Sequence, residues 1–361
     1  MEAKAAVLLG GGAPLQVQTI EVDDPQPGQV RVKLHACGLC HTDQSVLEGT
    51  LPSPNPVVLG HEGAGVVESV GGGVTSLVPG DHVIMTTTAF CGRCFYCIEG
   101  QYAQCENMPL NSGGNTPFHY GEVNLAPFAS VGGLCEYTVV AENTAIKIDT
   151  DIPLQSAALL GCGVITGVGA ALNTAGVRPG SSCAIWGAGG VGLSVLQGCA
   201  IAGAAKTISI DTNPRKLEFA RELGATHVID ASQDDALAKV MELTGGRGAD
   251  YTFEAIGNGH AMEQAYNAAR RGGTATIVGV GRFDDTFSLS AGLFAITEKT
   301  LKGSFCGGGA SVRDFPRMLD WYRSGKLNLD ALVTTTYAIE DVNQAFEDMT
   351  AGKNARGVVV F

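Results

Sequence analysis

The chain has 361 residues, which is long for one domain and about right for two. Its net charge of −13 argues against general binding to nucleic acids or to anionic membranes. No apolar run reaches the ~18 residues that a membrane span needs, and residues 1–7 lack the long apolar core of an export signal. The eleven cysteines, an odd number, then indicate reduced thiols, and we expect a cytoplasmic protein.

Roughly the first 160 residues are predicted to be rich in short strands. Residues 30–36 alternate between apolar and polar side chains, as a half-buried strand does. Residues 65–71 form a second apolar run closed by glycines, and the turn at Pro79-Gly80 leads into a third. Many short strands with turn residues between them predict a partly closed barrel or a sandwich.

From about residue 164 the pattern changes to strands that alternate with helices. The predicted strands are residues 182–186, 207–210, 227–229, 251–255, 275–280 and 300–305. The predicted helices between them are residues 193–202, 216–223, 236–243 and 262–270. Such alternation predicts βαβ units and a parallel sheet made of two mononucleotide-binding halves. After about residue 306 we expect the chain to rejoin the first domain with helices 315–324 and 341–350 and a last strand 357–361.

A glycine-rich loop follows the first of these parallel strands and precedes a helix. Its residues expected to contact a pyrophosphate are Gly187, Gly189, Gly190, Val191 and Gly192. Asp211 ends the next strand, where a carboxylate would hold the adenosine ribose hydroxyls and repel a 2′-phosphate, so NAD is favoured over NADP. Lys216 could reach the same ribose or be an ordinary exposed lysine. The alternative for the whole loop is a glycine turn that binds no ligand.

Four cysteines lie within fifteen residues, with the spacing Cys91-x2-Cys94-x2-Cys97-x7-Cys105. Four thiolates so close together can close a tetrahedral shell around zinc, which leaves no position for substrate and makes the site structural. Free or disulfide-bonded cysteines are the alternative. The remaining cysteines outside any motif are interpreted as small buried apolar residues: Cys37, Cys135, Cys183, Cys199 and Cys306.

Two further cysteines and a histidine stand in glycine-bounded turns, at Cys40, His61 and Cys162. This soft ligand set suits zinc and leaves a fourth position open for water or substrate. His61 by itself could be a satisfied core histidine, but the matching frames of Cys40 and Cys162 favour a ligand. Next to the first thiol lie a hydroxyl, Thr42, and a carboxylate, Asp43.

Taken together, these residues resemble the zinc-dependent medium-chain alcohol dehydrogenases over essentially the whole chain. The motifs that carry the resemblance are residues 38–43, 60–65 and 160–163, the four clustered cysteines, and the loop 187–192 with Asp211. The sequence is similar above all to the glutathione-dependent formaldehyde and aryl-alcohol dehydrogenase branches. The resemblance implies an α/β protein with a β-rich, GroES-like catalytic domain, residues 1–163 and 306–361, and an NAD-binding Rossmann domain with a doubly wound parallel sheet, residues 164–305.

The resemblance also implies roles around a catalytic zinc held by Cys40, His61 and Cys162. Glu62 would lie close behind the metal, and Asp43 would orient His61. Thr42 would hydrogen-bond the oxygen of the alcohol and pass its proton to the cofactor ribose. In many relatives a basic or ring-bearing residue three positions further carries the proton to solvent. Here that residue is Ser45, so water could take its place.

For the cofactor, the resemblance implies contacts from both domains. His41 and Arg356 would face the pyrophosphate, although Arg356 could instead be a surface arginine. Thr166 would stand near the nicotinamide, and Val280 with the backbone of residues 304–306 would fix the carboxamide. The complete set of cofactors expected is two zinc ions per chain and NAD.

We therefore expect an NAD-dependent zinc enzyme that interconverts a primary alcohol, aromatic or medium-chain, and its aldehyde. A homodimer through the cofactor-domain sheet is expected, with a homotetramer as the alternative. One rival is a formaldehyde dehydrogenase that acts on a thiol adduct, but no lysine or arginine lies between Arg93 and Lys147 to receive its carboxylates. The other rival is a non-catalytic, NAD-binding structural or sensor protein, which the intact ligands and Thr42 disfavour.

Overall fold

The computed structural model describes residues 1–10, 12–108 and 116–361. These residues form two compact units. The first unit is Met1–Cys162, Ala310–Asp320 and Leu329–Phe361, and the second unit is Gly163–Gly309 and Trp321–Asn328. The segment Trp321–Asn328 thus differs from the predicted division, which gave it to the catalytic domain. It joins the second unit because the Asn328 N–H donates to Oε1 of Gln197, 2.7 Å away.

Eighteen strands are present in the described residues. They are β1 (Glu2–Leu8), β2 (Gln16–Val22), β3 (Gln29–Gly38), β4 (Val57–Val58), β5 (Glu62–Val70), β6 (His82–Met85), β7 (Phe118–Tyr120), β8 (Val123–Pro127), β9 (Tyr137–Ala141), β10 (Ala145–Ile148), β11 (Ser182–Trp186), β12 (Lys206–Asp211), β13 (His227–Asp230), β14 (Ala249–Glu254), β15 (Ala269–Ile277), β16 (Thr300–Gly303), β17 (Val333–Tyr337) and β18 (Arg356–Val360).

Eleven α-helices accompany them in the same described ranges. They are α1 (His41–Leu47), α2 (Phe95–Ile98), α3 (Leu154–Ala158), α4 (Gly163–Gly169), α5 (Gly190–Ile201), α6 (Pro214–Glu222), α7 (Ala236–Leu243), α8 (Gly259–Ala268), α9 (Ala291–Thr297), α10 (Ser311–Arg323) and α11 (Val342–Thr350). A π-helical segment, Ala170–Ala175, follows α4 directly. Short 3₁₀ turns include Tyr102–Gln104 and Leu159–Gly161.

The first unit is β-rich, as predicted. Strands β1, β2, β7, β8 and β4 form a closed barrel, and a seven-stranded sheet runs β10-β6-β5-β3-β18-β17, with β9 paired to β3. The alternating residues of β3 predicted from the sequence are the ones that face the core, since Val30, Val32 and Leu34 are at most 1% exposed. Strand β18 joins the sheet beside β3, which places residues 358–360 against residues 36–38.

The second unit contains the predicted doubly wound sheet. Its six strands are all parallel and run in the order β13-β12-β11-β14-β15-β16. The order reverses between β11 and β14, which is the point where such sheets bind ligands outside the carboxyl ends of the strands. The fifth strand ends at Ile277 rather than at residue 280. It stops early because Val278 and Gly279 both donate to the carbonyl of Glu254 and leave the ladder.

No single helix in the described ranges is long and apolar enough to cross a membrane. The bent pair Leu154–Gly161 and Gly163–Ala175 passes that test only when its two members are taken together.

Candidate active site

The pairing of β3 with β5 brings the first two predicted metal ligands together. Gly38 lies opposite Glu62 in this pair, so the chain passes Cys40 just after β3 and His61 just before β5. Cys40 stands at the N-terminal cap of α1 with an extended backbone. Its Sγ lies 3.5 Å from Oγ1 of Thr42, the second residue of the helix. The thiol of Cys40, the imidazole of His61 and the hydroxyl of Thr42 therefore lie close together in the first unit.

Asp43 fixes the orientation of His61. Its Oδ2 lies 3.1 Å from Nδ1 of His61, off the best hydrogen-bonding direction, and its Oδ1 accepts the Gly60 N–H at 2.9 Å. Both side chains are almost fully buried. Burial lowers the pKa of His61, but the charges of Asp43 and Cys40 outweigh it and raise that pKa well above its usual value. A carboxylate beside Nδ1 leaves Nε2 as the atom that can bind a metal.

Cys162 reaches the same place through the turn Leu159–Gly161. A Cβ atom at Gly161 would lie 2.8 Å from the Met85 carbonyl oxygen, so only glycine allows this approach. The ligand atoms of Cys40, His61, Glu62 and Cys162 all lie within 4.8 Å of one another. A hydrogen bond with Cys162 holds the pKa of the Cys40 thiol well below its usual range despite burial. The thiolate so favoured is the metal-binding form of cysteine.

Glu62 is engaged by Arg356, which comes from β18. The two side chains form a buried ion pair, and Nη2 of Arg356 also donates to the Leu39 carbonyl at 2.9 Å. Burial raises the pKa of Glu62, and Arg356 opposes that rise. Arg356 is only 6% exposed, so it is not a surface arginine. Its expected contact with a pyrophosphate stays a prediction.

This donor set fits zinc. Two thiols and one imidazole converge, and the nearby carboxylate of Glu62 is already paired with a guanidinium. Three protein ligands with an open fourth position are typical of catalytic zinc sites. Cys40 and Cys162 are partly exposed, whereas His61 is buried.

The four clustered cysteines form a second site with a different character. Helix α2 and the turn Tyr102–Gln104 fold the segment so that Cys91 lies 4.0 Å from Cys97, and Cys94 lies 3.9 Å from Cys105, measured between Sγ atoms. Backbone N–H groups, first that of Arg93, lower the pKa of Cys91 to about 6. Burial raises the pKa of Cys97 to about 12. Four sulfur ligands fit a closed, tetrahedral zinc site.

The glycine loop and Asp211 are joined directly in the second unit. Oδ2 of Asp211 accepts the Ala188 N–H at 2.8 Å, and Oδ1 accepts the Asn213 N–H at 2.9 Å. Helix α5 starts at Gly190 with Gly189 as its cap, so the first N–H groups of the helix lie at the predicted pyrophosphate position. The loop thus has the strand-before, helix-after context that a dinucleotide site requires.

The other predicted cofactor residues are spread over the two units. His41 is exposed at the start of α1 in the first unit. In the second unit Thr166 is 8% exposed, Val280 is 69% exposed, and Lys216 is partly exposed on α6. Oγ of Ser304 lies 2.8 Å from Oγ1 of Thr174. Their contacts with a cofactor stay predictions.

One buried acid in the second unit was not singled out from the sequence. Glu254 ends β14 and is 0% exposed. The signal in the sequence was a carboxylate at the end of an apolar central strand, because acidic residues are seldom fully buried unless they are paired.

Two family models match the chain. The model described as "Alcohol dehydrogenase GroES-like domain" covers residues 26–150, and the model described as "Zinc-binding dehydrogenase" covers residues 190–324.

Relatives and solved structures match over the whole length. The chain is 40% identical to the NDMA-dependent alcohol dehydrogenase of Amycolatopsis methanolica, with 100% of this chain and 99% of that protein covered. It is 35% identical, with a TM-score of 0.95, to an alcohol dehydrogenase zinc-binding domain protein from Burkholderia ambifaria. It is 34% identical, with a TM-score of 0.93, to benzyl alcohol dehydrogenase from Acinetobacter calcoaceticus. Both superpositions cover 100% of this chain and 99% of the other. With the β-rich unit, the parallel sheet and the converging thiols and imidazole, these matches establish that the chain belongs to the zinc-dependent medium-chain alcohol dehydrogenase family.

Proposed function

We propose that the protein is an NAD-dependent zinc enzyme that interconverts a primary alcohol, aromatic or medium-chain, and its aldehyde by hydride transfer. The observation that carries the proposal is the convergence of Cys40, His61 and Cys162, whose ligand atoms lie within 4.8 Å, with the hydroxyl of Thr42 beside them. A zinc ion held there would supply a Lewis acid for the oxygen of the alcohol.

The surrounding residues have separate tasks in this proposal. Asp43 keeps His61 in the tautomer that offers Nε2. Thr42 receives the proton of the alcohol, because its Oγ1 lies 3.5 Å from the Cys40 thiol. The Glu62–Arg356 pair sets the charge behind the ligands at close to zero. Two zinc ions per chain are expected, one here and one on the four clustered cysteines.

NAD is proposed as the hydride acceptor because of Asp211. A carboxylate at the end of the second parallel strand favours free ribose hydroxyls and repels a 2′-phosphate. A second candidate comes from the Amycolatopsis relative, which is named as NDMA-dependent. In that case turnover would require NDMA rather than added NAD alone. Assays with NAD, with NDMA and with both together distinguish the two.

An uncharged alcohol is proposed as the substrate. The similarity to a benzyl alcohol dehydrogenase supports an aromatic one. A thiol adduct of glutathione carries carboxylates, yet the segment between Arg93 and Lys147 contains no lysine or arginine. It does contain five glutamates, Glu99, Glu106, Glu122, Glu136 and Glu142. An anion approaching such a segment is repelled.

A homodimer is also proposed, with a homotetramer as the alternative. Strand β16 is the edge of the parallel sheet and, within the described chain, pairs on one side only. Helix α9 beside it in sequence buries no residue and exposes Leu293, Phe294 and Ile296. An apolar helix next to an open strand edge is a surface that a second copy could cover.

The experiment that tests the function measures bound zinc and alcohol oxidation on the same samples. Wild type should hold two zinc ions per chain and oxidise benzyl alcohol and a six-carbon alcohol. Cys162→Ala should lose one zinc and nearly all activity while still binding NADH. The matched control is Cys135→Ala, which removes a buried thiol outside both clusters and should keep both metals.

Three results would contradict the proposal. Pure, active protein without zinc would remove its basis. Retained activity in Cys162→Ala would show that the thiol is not needed. A kcat/KM for the glutathione adduct of formaldehyde that exceeds both alcohols by about tenfold, or about 1.4 kcal/mol of transition-state binding, would favour the thiol-dependent rival.

A further inference from the structure

The buried carboxyl group of Glu254 lies at the topological switch point of the parallel sheet. Glu254 is the last residue of β14 and pairs in register with Trp186, the last residue of β11. The strand order reverses between these two strands. Ligands of doubly wound sheets bind in the crevice outside this point. The side chain is nevertheless 0% exposed, so it does not itself form the crevice wall.

Glu254 joins two loops that leave the sheet at this edge. Its Oε1 accepts the N–H groups of Ile256 and Gly257, at 2.8 Å and 2.6 Å, in the loop after β14. Its backbone carbonyl accepts the N–H groups of Val278 and Gly279, at 2.8 Å and 3.0 Å, in the loop after β15. One residue therefore organises four backbone donors from both loops.

The two loops touch backbone to backbone. A Cβ atom at Gly257, whose φ is +88°, would lie 2.5 Å from the Val280 carbonyl oxygen. A Cβ atom at Gly279 would lie 2.2 Å from the Gly257 nitrogen and 2.8 Å from Oε2 of Glu254. Only glycine fits at these positions, which lets the two loop backbones pack directly against each other and against the carboxyl group.

The outer side of the same loops is apolar and exposed. Ile256 is 55% exposed and Val280 is 69% exposed. Ile256 also borders the glycine loop, since a Cβ atom at Gly187 would lie 2.8 Å from its Cγ1. Apolar side chains next to a pyrophosphate loop form a surface against which a flat ring can lie.

The two oxygens of the Glu254 carboxyl group have different surroundings. Oε2 is inaccessible to solvent and has no hydrogen-bond partner among the described residues. Burial raises the pKa of Glu254, and backbone N–H groups, first that of Gly257, oppose the rise.

We propose that Glu254 is a positioning residue for the nicotinamide ring, which acts by holding Ile256 and Val280 in place beside the glycine loop. The inference rests on the proposed use of NAD. It assigns the ring of the cofactor to the surface that Glu254 shapes, and leaves the adenosine and pyrophosphate to the glycine loop and Asp211. Substitutions of Glu254 should therefore affect ligands with and without the nicotinamide ring differently.

The test compares NADH with ADP-ribose, which lacks the ring, by fluorescence titration and calorimetry. Glu254→Leu keeps much of the volume but leaves the Ile256 and Gly257 N–H groups without an acceptor. It should weaken NADH binding by about tenfold or more and change ADP-ribose binding by about twofold or less. Glu254→Gln keeps an acceptor oxygen and should bind both ligands within about threefold of wild type.

Glu254→Asp provides a second route should the leucine variant fail to fold. It keeps the carboxyl group but withdraws it from the two N–H groups, and it should also weaken NADH selectively. Equal losses of NADH and ADP-ribose in the variants, or no loss of NADH, would overturn the inference while NAD use stands. A wild type that binds neither ligand would overturn the proposed function and the inference together.

Discussion

The buried ion pair between Glu62 and Arg356 stabilises the protein as a pair, whereas either member alone would destabilise it. Both groups are buried, and each is the main partner that compensates the other's charge. Burying two charges is costly, and the pair offsets that cost only while both members are present. Arg356 also holds the Leu39 carbonyl, one position before a predicted zinc ligand. A substitution of Arg356 should therefore also disturb the backbone next to Cys40.

Removing both members of this pair should destabilise the protein less than the two single removals added together. Arg356→Met leaves Glu62 buried without its cation and should lower the free energy of unfolding by about 3–5 kcal/mol. In the double variant Glu62→Gln/Arg356→Met no charge is left uncompensated, so its loss should be clearly smaller than the sum of the single losses. Urea unfolding of wild type, Glu62→Gln, Arg356→Met and the double variant measures this coupling. Additivity within about 0.5 kcal/mol would contradict it.

The sequence predicted which candidate metal ligands come together, but it did not predict the ion pair. Cys40, His61 and Cys162 could be recognised because each stands in a short glycine-bounded motif that is visible locally. The partner of Glu62 is 294 positions away and reaches it only because β18 pairs with β3. No local pattern encodes such a pairing, so Arg356 was expected to face a pyrophosphate or solvent instead.

At the scale of secondary-structure elements, Asp211 connects two loops as well as offering a charge. One oxygen holds Ala188 in the loop after β11, and the other holds Asn213 at the start of α6. A substitution of Asp211 therefore changes the shape of the nucleotide loop together with its charge. The two effects can be separated by comparing substitutions that differ in how much of the loop they preserve.

Asp211→Asn and Asp211→Gly should differ in this respect. Asparagine removes the charge but can still accept one N–H, so it should relax discrimination against NADP while keeping most of the NAD affinity. Glycine removes both acceptors and should also weaken NAD binding. The ratio of kcat/KM for NAD and NADP, measured for wild type and both variants, is the readout. A wild type that prefers NADP would show that the carboxylate has another role.

Periodicity in the sequence predicted where most of the elements lie. It did not predict some of their ends or helix α9. The first parallel strand was predicted as residues 182–186 and observed as Ser182–Trp186. Helix α9 was not predicted, because it buries none of its residues and so has no apolar stripe that faces a core. Its apolar side chains lie on the surface of the described chain, and a single sequence does not identify what would cover them.

At the scale of the whole molecule, the four clustered cysteines lie in a segment with only a very small apolar core. The buried cluster there consists of Cys94, Cys97, Cys105 and Met108, with a few aromatic residues half-buried around it. So small an apolar cluster contributes little by itself. A metal bound by four thiolates would supply the missing stabilisation, because its binding free energy is also folding free energy.

Cys97→Ala should accordingly lower the melting temperature and the zinc content by one ion per chain. The loss of stability should appear first in the residues around the four clustered cysteines, where limited proteolysis would detect it. Cys135→Ala, already used as a control, should retain both ions and a melting temperature nearer to that of wild type. An unchanged melting temperature and zinc content in Cys97→Ala would mean that these thiols do not bind a structural metal.

The interruption of the first unit by the second has a consequence for the order of folding. The parallel sheet is built within one nearly continuous stretch, but β3 also pairs with β18, whose Arg356 bonds a carbonyl 317 positions earlier. Pairings between distant positions form slowly, and large chains fold unit by unit. During refolding, brief pulses of a thiol-alkylating reagent should therefore label Cys40 and Cys162 long after Cys183 and Cys199 are protected. Until β18 is in place, Cys40 and Cys162 should therefore also stay open to oxidation.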